Sequence, residues 1–139
     1  MLSRQELKRL ARLRLREAEA LHEAGLYDGA AYLAGYAIEM ALKARICKVL
    51  GVADYPISGS LKPAYAVHDL DQLAFLGGLK PRLAAAAPLL LAKWPFVRPW
   101  SPDRRYTSVG TCSAQESLDI LDAIRDPRHG ILRWIAKYW

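Results

Sequence analysis

The chain has 139 residues, of which 53% are apolar and 24% charged, and 20 basic against 14 acidic side chains give it a net charge of +6. This composition predicts one folded domain over residues 1–139 and excludes an intrinsically disordered chain. The N-terminus is charged and no apolar run approaches the length of a membrane span, so we expect a cytoplasmic protein without membrane contact. Cys47 and Cys112 stand far apart and outside any cluster with histidine, and we expect neither a metal site nor a cofactor.

The first predicted helix runs from about Ser3 to Ala24. Ser3 and Glu6 have the spacing of a capping box, and Gly25 fits a C-terminal stop. Residues 1–16 hold six basic side chains and one acidic one. This basic face is either simply solvated or a surface for an anionic partner.

The second predicted helix begins near Asp28, as N-cap, and ends near Leu50. It is apolar almost all round, which is typical of the central helix of a bundle, and its many Ala and Gly residues allow close approach of its neighbours.

One stripe of this helix is polar and contains Tyr32, Tyr36, Glu39 and Lys43. Glu39 and Lys43 are predicted to form a partly buried ion pair, with Arg14 of the first helix as a further partner. The alternative is a polar stripe that lines a nucleotide cleft.

The rest of the chain alternates short helical segments with loops. Residues 51–66 and 93–112 are predicted as loops. The prolines of the second loop should hold its backbone extended or turned, and its aromatic residues indicate that it is ordered. No alternating strand pattern occurs. We therefore predict an all-α, up-down bundle of about five helices. Its later helical segments are a short one capped by Asp69 that closes at Gly77, one over 79–92 broken at Pro88, one from Ser113, as cap in a second capping box, to Arg125, and one from Gly130 to Trp139.

Cations and rings alternate between positions 93 and 106. This combination can hold phosphates and stack bases, and the residues chosen for that role are Arg98, Trp100, Arg104, Arg105 and Tyr106. The same rings could instead cap the bundle or bury a dimer interface.

His68 precedes the cap of the short helix. It either packs against the second helix, or bonds a loop carbonyl, or joins Lys43 in a site for nucleotide or RNA.

Three stretches together resemble a known family, the HEPN domain (higher eukaryotes and prokaryotes nucleotide-binding). They are Gly25 to Ala44 (GLYDGAAYLAGYAIEMALKA), His68-Asp69-Leu70 followed by Leu73, and Trp100 to Tyr106 (WSPDRRY), within a similarity that extends from about Leu21 to the C-terminus. The resemblance implies a helical bundle with a four-helix core, a homodimer, and a minimal nucleotidyltransferase as partner in a toxin–antitoxin-like system.

Some members of this family are metal-independent ribonucleases that carry an arginine, four to six residues, and then a histidine on a late helix. Here Arg125 is one residue too close to His129, and Arg128 directly precedes it. If the protein were such a ribonuclease, these three residues would supply its acid, base and phosphate-binding cation.

The residues and the resemblance together predict a nucleotide- or RNA-binding partner module that is not a robust enzyme. A metal-independent ribonuclease toxin is the first alternative, and a protein-interaction module used for assembly is the second.

Overall fold

The structure is a computed structural model that describes residues 2–139, and all of its regular elements are helical. This confirms the predicted fold class. A 3-10 turn at Pro102–Tyr106 lies between the seventh and eighth helices. The helices in chain order are α1 (Arg4–Glu23), α2 (Tyr27–Leu50), α3 (Lys62–Tyr65), α4 (Leu70–Leu76), α5 (Lys80–Ala84), α6 (Pro88–Leu91), α7 (Trp94–Val97), α8 (Ala114–Arg125) and α9 (Ile131–Ala136). No helix among the described residues is long and apolar enough to cross a membrane.

Three helices begin at the predicted caps. In each, the cap's side-chain oxygen accepts a hydrogen bond from the backbone N–H three residues on, at 3.1 Å for Ser3, 2.7 Å for Asp69 and 3.0 Å for Ser113. Such a bond satisfies one of the amides that a helix start leaves free. The predicted stop of α1 is also confirmed, because Gly25 has φ +76°, a conformation that glycine adopts without strain.

Asp28 is not the cap of α2, because the helix already begins at Tyr27. Its carboxylate instead accepts hydrogen bonds from the backbone amides of Gly110 at 2.7 Å and Cys112 at 2.8 Å. These amides lower the pKa of Asp28. The prediction was wrong because the carboxylate anchors a distant loop, which local spacing does not reveal.

The two predicted loops contain short helices. Pro63 and Pro95 lie in the first turns of α3 and α7, and Pro102 begins the 3-10 turn. The backbone N–H groups in the first turn of a helix have no partner within the helix, so the missing N–H of proline costs nothing there, and the fixed φ of proline suits the helix. These prolines therefore start helical turns instead of holding the chain extended. Pro88 starts α6 and confirms the predicted break.

Helix α2 is the centre of the bundle. It packs against α1, α4, α8, α9 and the 3-10 turn, and α8 in turn packs on α1 and α9. The close approach depends on small side chains along its length, and the fully buried ones are Ala30, Ala31, Ala34, Ala37, Ala41 and Ala44. Buried apolar residues from Leu7 to Trp139 form one continuous cluster around this helix.

The closest approach to α2 occurs at Gly35. The indole of Trp100 lies directly over it, so a Cβ at position 35 would overlap the ring. The indole N–H also donates a hydrogen bond to the carbonyl of Tyr32 at 3.0 Å. Trp100 thereby fixes the segment before the 3-10 turn on the surface of α2.

We expect Gly35→Ala to lower the free energy of unfolding by about 1–3 kcal/mol, the usual cost of overpacking a filled core. Gly29→Ala is the matched control in the same helix, because its Cβ would meet only the end of the Leu21 side chain at 3.3 Å. The control should be neutral or stabilise by up to about 1 kcal/mol, since alanine favours the helix. Urea denaturation measures both, and equal effects of the two substitutions would contradict the packing of Trp100.

Candidate functional site

A buried ion pair lies in the polar stripe of α2. Lys43 Nζ donates a hydrogen bond to Glu39 Oε1 at 2.7 Å, and Glu39 is only 1% exposed. The Lys43 ammonium also lies 5.1 Å from the centre of the Tyr55 ring. The predicted pair is confirmed, and its burial is deeper than expected.

His68 completes this cluster. Its Nδ1 lies 3.0 Å from the same carboxylate oxygen of Glu39, while 57% of its side chain is exposed. His68 therefore contacts the second helix and not a loop carbonyl. Glu39 orients the imidazole, and much of the ring is left open to solvent.

Arg14 is not part of this cluster. Its guanidinium binds the carboxylate of Glu17 one turn further along α1, at 2.7 Å. The predicted contact of Arg14 with the Glu39 pair is wrong, because an acceptor on its own helix satisfies the charge.

Removing one member of the Glu39–Lys43 pair should be costly. We expect Lys43→Met to destabilise the fold by about 3–5 kcal/mol because the buried Glu39 carboxylate loses its cation and keeps only the contact with His68. The double variant Glu39→Met with Lys43→Met should recover most of this loss, since no charge is then buried.

Chemical denaturation of the single and double variants measures this coupling. Arg9→Ala is the control, because the Arg9–Glu6 pair is exposed and should contribute less than about 1 kcal/mol. A double variant as unstable as Lys43→Met would contradict the account.

The other end of the polar stripe is aromatic. The rings of Tyr32 and Tyr36 meet edge to face with centres 5.2 Å apart, and Tyr36 meets Trp100 in the same way at 4.9 Å. Burial, followed by the hydrogen bond with Tyr32, raises the pKa of Tyr36 to about 12. Tyr36 is therefore neutral under physiological conditions and available as a hydrogen-bonding group.

Arg105 and Tyr106 lie beside this aromatic end. The Arg105 guanidinium is 4.7 Å from the centre of the Tyr106 ring, and Tyr106 is 76% exposed. The nearby hydroxyl groups of Tyr106 and then Tyr32 raise the pKa of Arg105, and the guanidinium donates a hydrogen bond to the carbonyl of Pro102 at 3.3 Å. An exposed cation and an exposed ring thus reach the same side of α2 as His68.

Arg98 and Arg104 are engaged in ion pairs. Arg98 binds Asp71 of α4 at 2.6 Å, and Arg104 binds Glu116 of α8 at 3.2 Å. Asp71 also accepts hydrogen bonds from Lys80 and from the indole of Trp94. Burial alone would raise the pKa of Asp71, but the bonds from Lys80 and Trp94 outweigh it and lower that pKa.

Sequence reasoning missed Asp71 as the partner of Arg98, because only the folded chain brings these positions together. The only feature of Asp71 visible in the sequence is its acidic side chain in the first turn of a short predicted helix.

The three residues considered for a ribonuclease surround the turn after α8. Arg125 binds Asp122 on its own helix at 3.2 Å and Glu19 of α1 at 3.7 Å. The backbone amides of Arg128 and His129 donate to Asp126 and lower its pKa to about 2. The described contacts are those of a capped turn, and none joins the Arg125 guanidinium to the His129 imidazole.

The structure therefore brings some of the predicted site residues together on one surface and places others in ion pairs elsewhere. We call this surface the tyrosine face and define it as Tyr32, Tyr36, His68, Arg105 and Tyr106, all on the side of α2 that carries Glu39. Lys43 and Trp100 are buried beneath it and hold it in place. Arg98 and Arg104 are committed to carboxylates elsewhere.

Comparison with known proteins places part of the chain within a family model. Residues 4–58 match the family model described as HEPN domain, over α1, α2 and part of the loop that follows. No curated protein and no solved structure matches.

The first two helices are thus similar to a HEPN domain, which agrees with the resemblance seen in the sequence and supports a nucleotide- or RNA-related module in general. The match begins earlier than the similarity seen in the sequence. It ends before the His68 and Arg105 motifs, so the tyrosine face combines the matched helix α2 with residues beyond the match.

Proposed function

We propose that the protein binds RNA or a nucleotide on its tyrosine face. The observation that carries the proposal is the exposed Arg105–Tyr106 pair, in which a cation lies 4.7 Å from the centre of an open ring. A guanidinium binds phosphate by charge and hydrogen bonding, and an exposed ring stacks a base without regard to sequence.

The neighbouring groups suit the same ligand. Tyr32 and Tyr36 present phenolic hydroxyl groups beside Arg105, and these can bond sugar or phosphate oxygens. His68 offers an imidazole already oriented by Glu39. The fixed positions of these groups reduce the conformational entropy that binding would otherwise cost.

The other rings that lie near cations are less suitable. Trp139 is only 9% exposed beneath Lys8 and Arg12, and Tyr55 is buried beside Lys43. Tyr138, near Arg45 and Arg82, is half-buried and packs edge to face against Trp134. A base needs an accessible ring face for stacking, and of these rings Tyr106 is the most exposed. Tyr106 therefore marks the favoured position.

We expect Arg105→Gln and Tyr106→Ala each to weaken binding of a fluorescein-labelled single-stranded RNA by about tenfold, within the range of about 1–3 kcal/mol for a stacked base. Fluorescence anisotropy measures the affinity, which should also fall as salt is added.

The matched control is Arg104→Gln, one position away. It removes the same charge, but from a guanidinium already bound to Glu116, so it should change the affinity less than twofold. Binding that is absent, insensitive to salt, or weakened equally by Arg104→Gln and Arg105→Gln would contradict the proposal.

A further inference from the structure

A second surface lies on another side of the bundle, where α1, α8 and α9 meet. It is an open groove of about 380 Å³, and its lining combines three arginines (Arg12, Arg125 and Arg133), two acidic residues (Glu19 and Asp126) and apolar residues that include Leu15, Pro127 and Ala136. We call it the arginine groove. It shares no residue with the tyrosine face.

The charges of this groove are unevenly compensated. Arg125 is bound to Asp122 and Glu19, whereas Arg12 and Arg133 have no carboxylate partner among residues 2–139. Asp126, also in the groove, is bound by Lys93 and by two backbone amides. The acidic groups are therefore already neutralised, and two arginines are left to attract an anion.

Lys8 is a further cation beside this groove. Its ammonium lies 5.7 Å from the centre of the Trp139 ring, and the guanidinium of Arg12 lies 4.8 Å from the same centre. Burial, followed by the nearby charges of Arg4, Lys48 and Arg12, lowers the pKa of Lys8. Like charges are thus held close together along this side of α1, and an acidic partner would relieve their repulsion.

The apolar part of the groove determines which anion it fits. The Trp139 ring is almost fully covered, so a nucleic acid base finds no ring face there on which to stack. Leu15 and Ala136 are only half-buried and Pro127 is exposed, so these residues offer aliphatic surface, which gains free energy only when apolar groups cover it. The groove therefore matches a ligand that combines carboxylates with aliphatic side chains.

We propose that the arginine groove binds an acidic amphipathic segment of a partner protein. Aliphatic side chains at helical spacing would cover Leu15, Pro127 and Ala136, and flanking Glu or Asp side chains would pair with Arg12 and Arg133. This interaction is independent of RNA binding on the tyrosine face.

The test uses three synthetic peptides of about 15 residues, a length at which helices begin to be stable in water. The first has leucines at positions i, i+3, i+4 and i+7 among glutamates. The second replaces the leucines by serine, and the third replaces the glutamates by lysine. Isothermal titration calorimetry with the full chain should show binding of the first peptide only.

The variant Arg12→Glu with Arg133→Glu should weaken this binding at least tenfold. A control that changes the charge by the same amount outside the groove is Arg9→Glu with Arg104→Glu, and it should change the affinity less than threefold. Circular dichroism verifies that every variant keeps its helical content.

Several results would overturn the proposal. Equal binding of the serine peptide would show that the groove attracts charge alone, and equal weakening by the control variant would place the site elsewhere. Absence of binding by the leucine–glutamate peptide would also contradict it. Loss of RNA affinity in the Arg12 and Arg133 variant, with no peptide binding, would identify the groove as a nucleic acid site.

Discussion

The fold depends on a central helix that is apolar on nearly every side yet carries one buried ion pair. Helix α2 can contact α1, α4, α8 and α9 only because its side chains are small and because Lys43 neutralises Glu39 within the same helix. The desolvation of two charges is offset by a short, direct contact, whereas one charge alone would oppose burial. The pair also fixes His68, and through it the loop that leads into α4.

Trp100 is the second link between core packing and the candidate site. Its indole occupies the space above Gly35 and donates to the Tyr32 carbonyl, and this places the following 3-10 turn beside the tyrosines of α2. Arg105 and Tyr106 extend from that turn. Buried residues thus fix the positions of the exposed residues of the tyrosine face. Packing of this kind holds the residues of a binding site in a defined geometry.

Some cations of the chain are bound in ion pairs that stabilise the fold, whereas others have no carboxylate partner in the part of the chain that the structure describes and can bind a ligand. Arg98 and Arg104 are close in sequence to Arg105, but each is bound to a carboxylate from another helix. Arg12 and Arg133, far apart in sequence, face one groove without such partners among the described residues. The net charge of +6 therefore indicates an anionic partner in general terms, while its distribution determines where that partner can bind.

Local signals were sufficient to predict much of the helical framework from the sequence. Ser3, Asp69 and Ser113 act over three residues, and such short-range spacing is visible without a structure. The partners of Asp28 and Arg98 were not predictable, because both are chosen by contacts between distant segments. The partner of Arg14 was also predicted wrongly, because its guanidinium binds Glu17 on the same helix and not the buried Glu39 pair. The arginine groove had only a partial sequence signal, the basic face of residues 1–16 that includes Arg12, because its other residues come from the far end of the chain.

The central claim is that an RNA or nucleotide ligand binds on the tyrosine face, over the side of α2 that carries Glu39. Two-dimensional NMR of the 15N-labelled protein, titrated with a short single-stranded RNA, tests it most directly. The account predicts that the largest shifts fall on the backbone amides of Arg105 and Tyr106 and on those around Tyr32 and His68. Shifts confined to α1, α8 and α9 around Arg12 and Arg133 would contradict it.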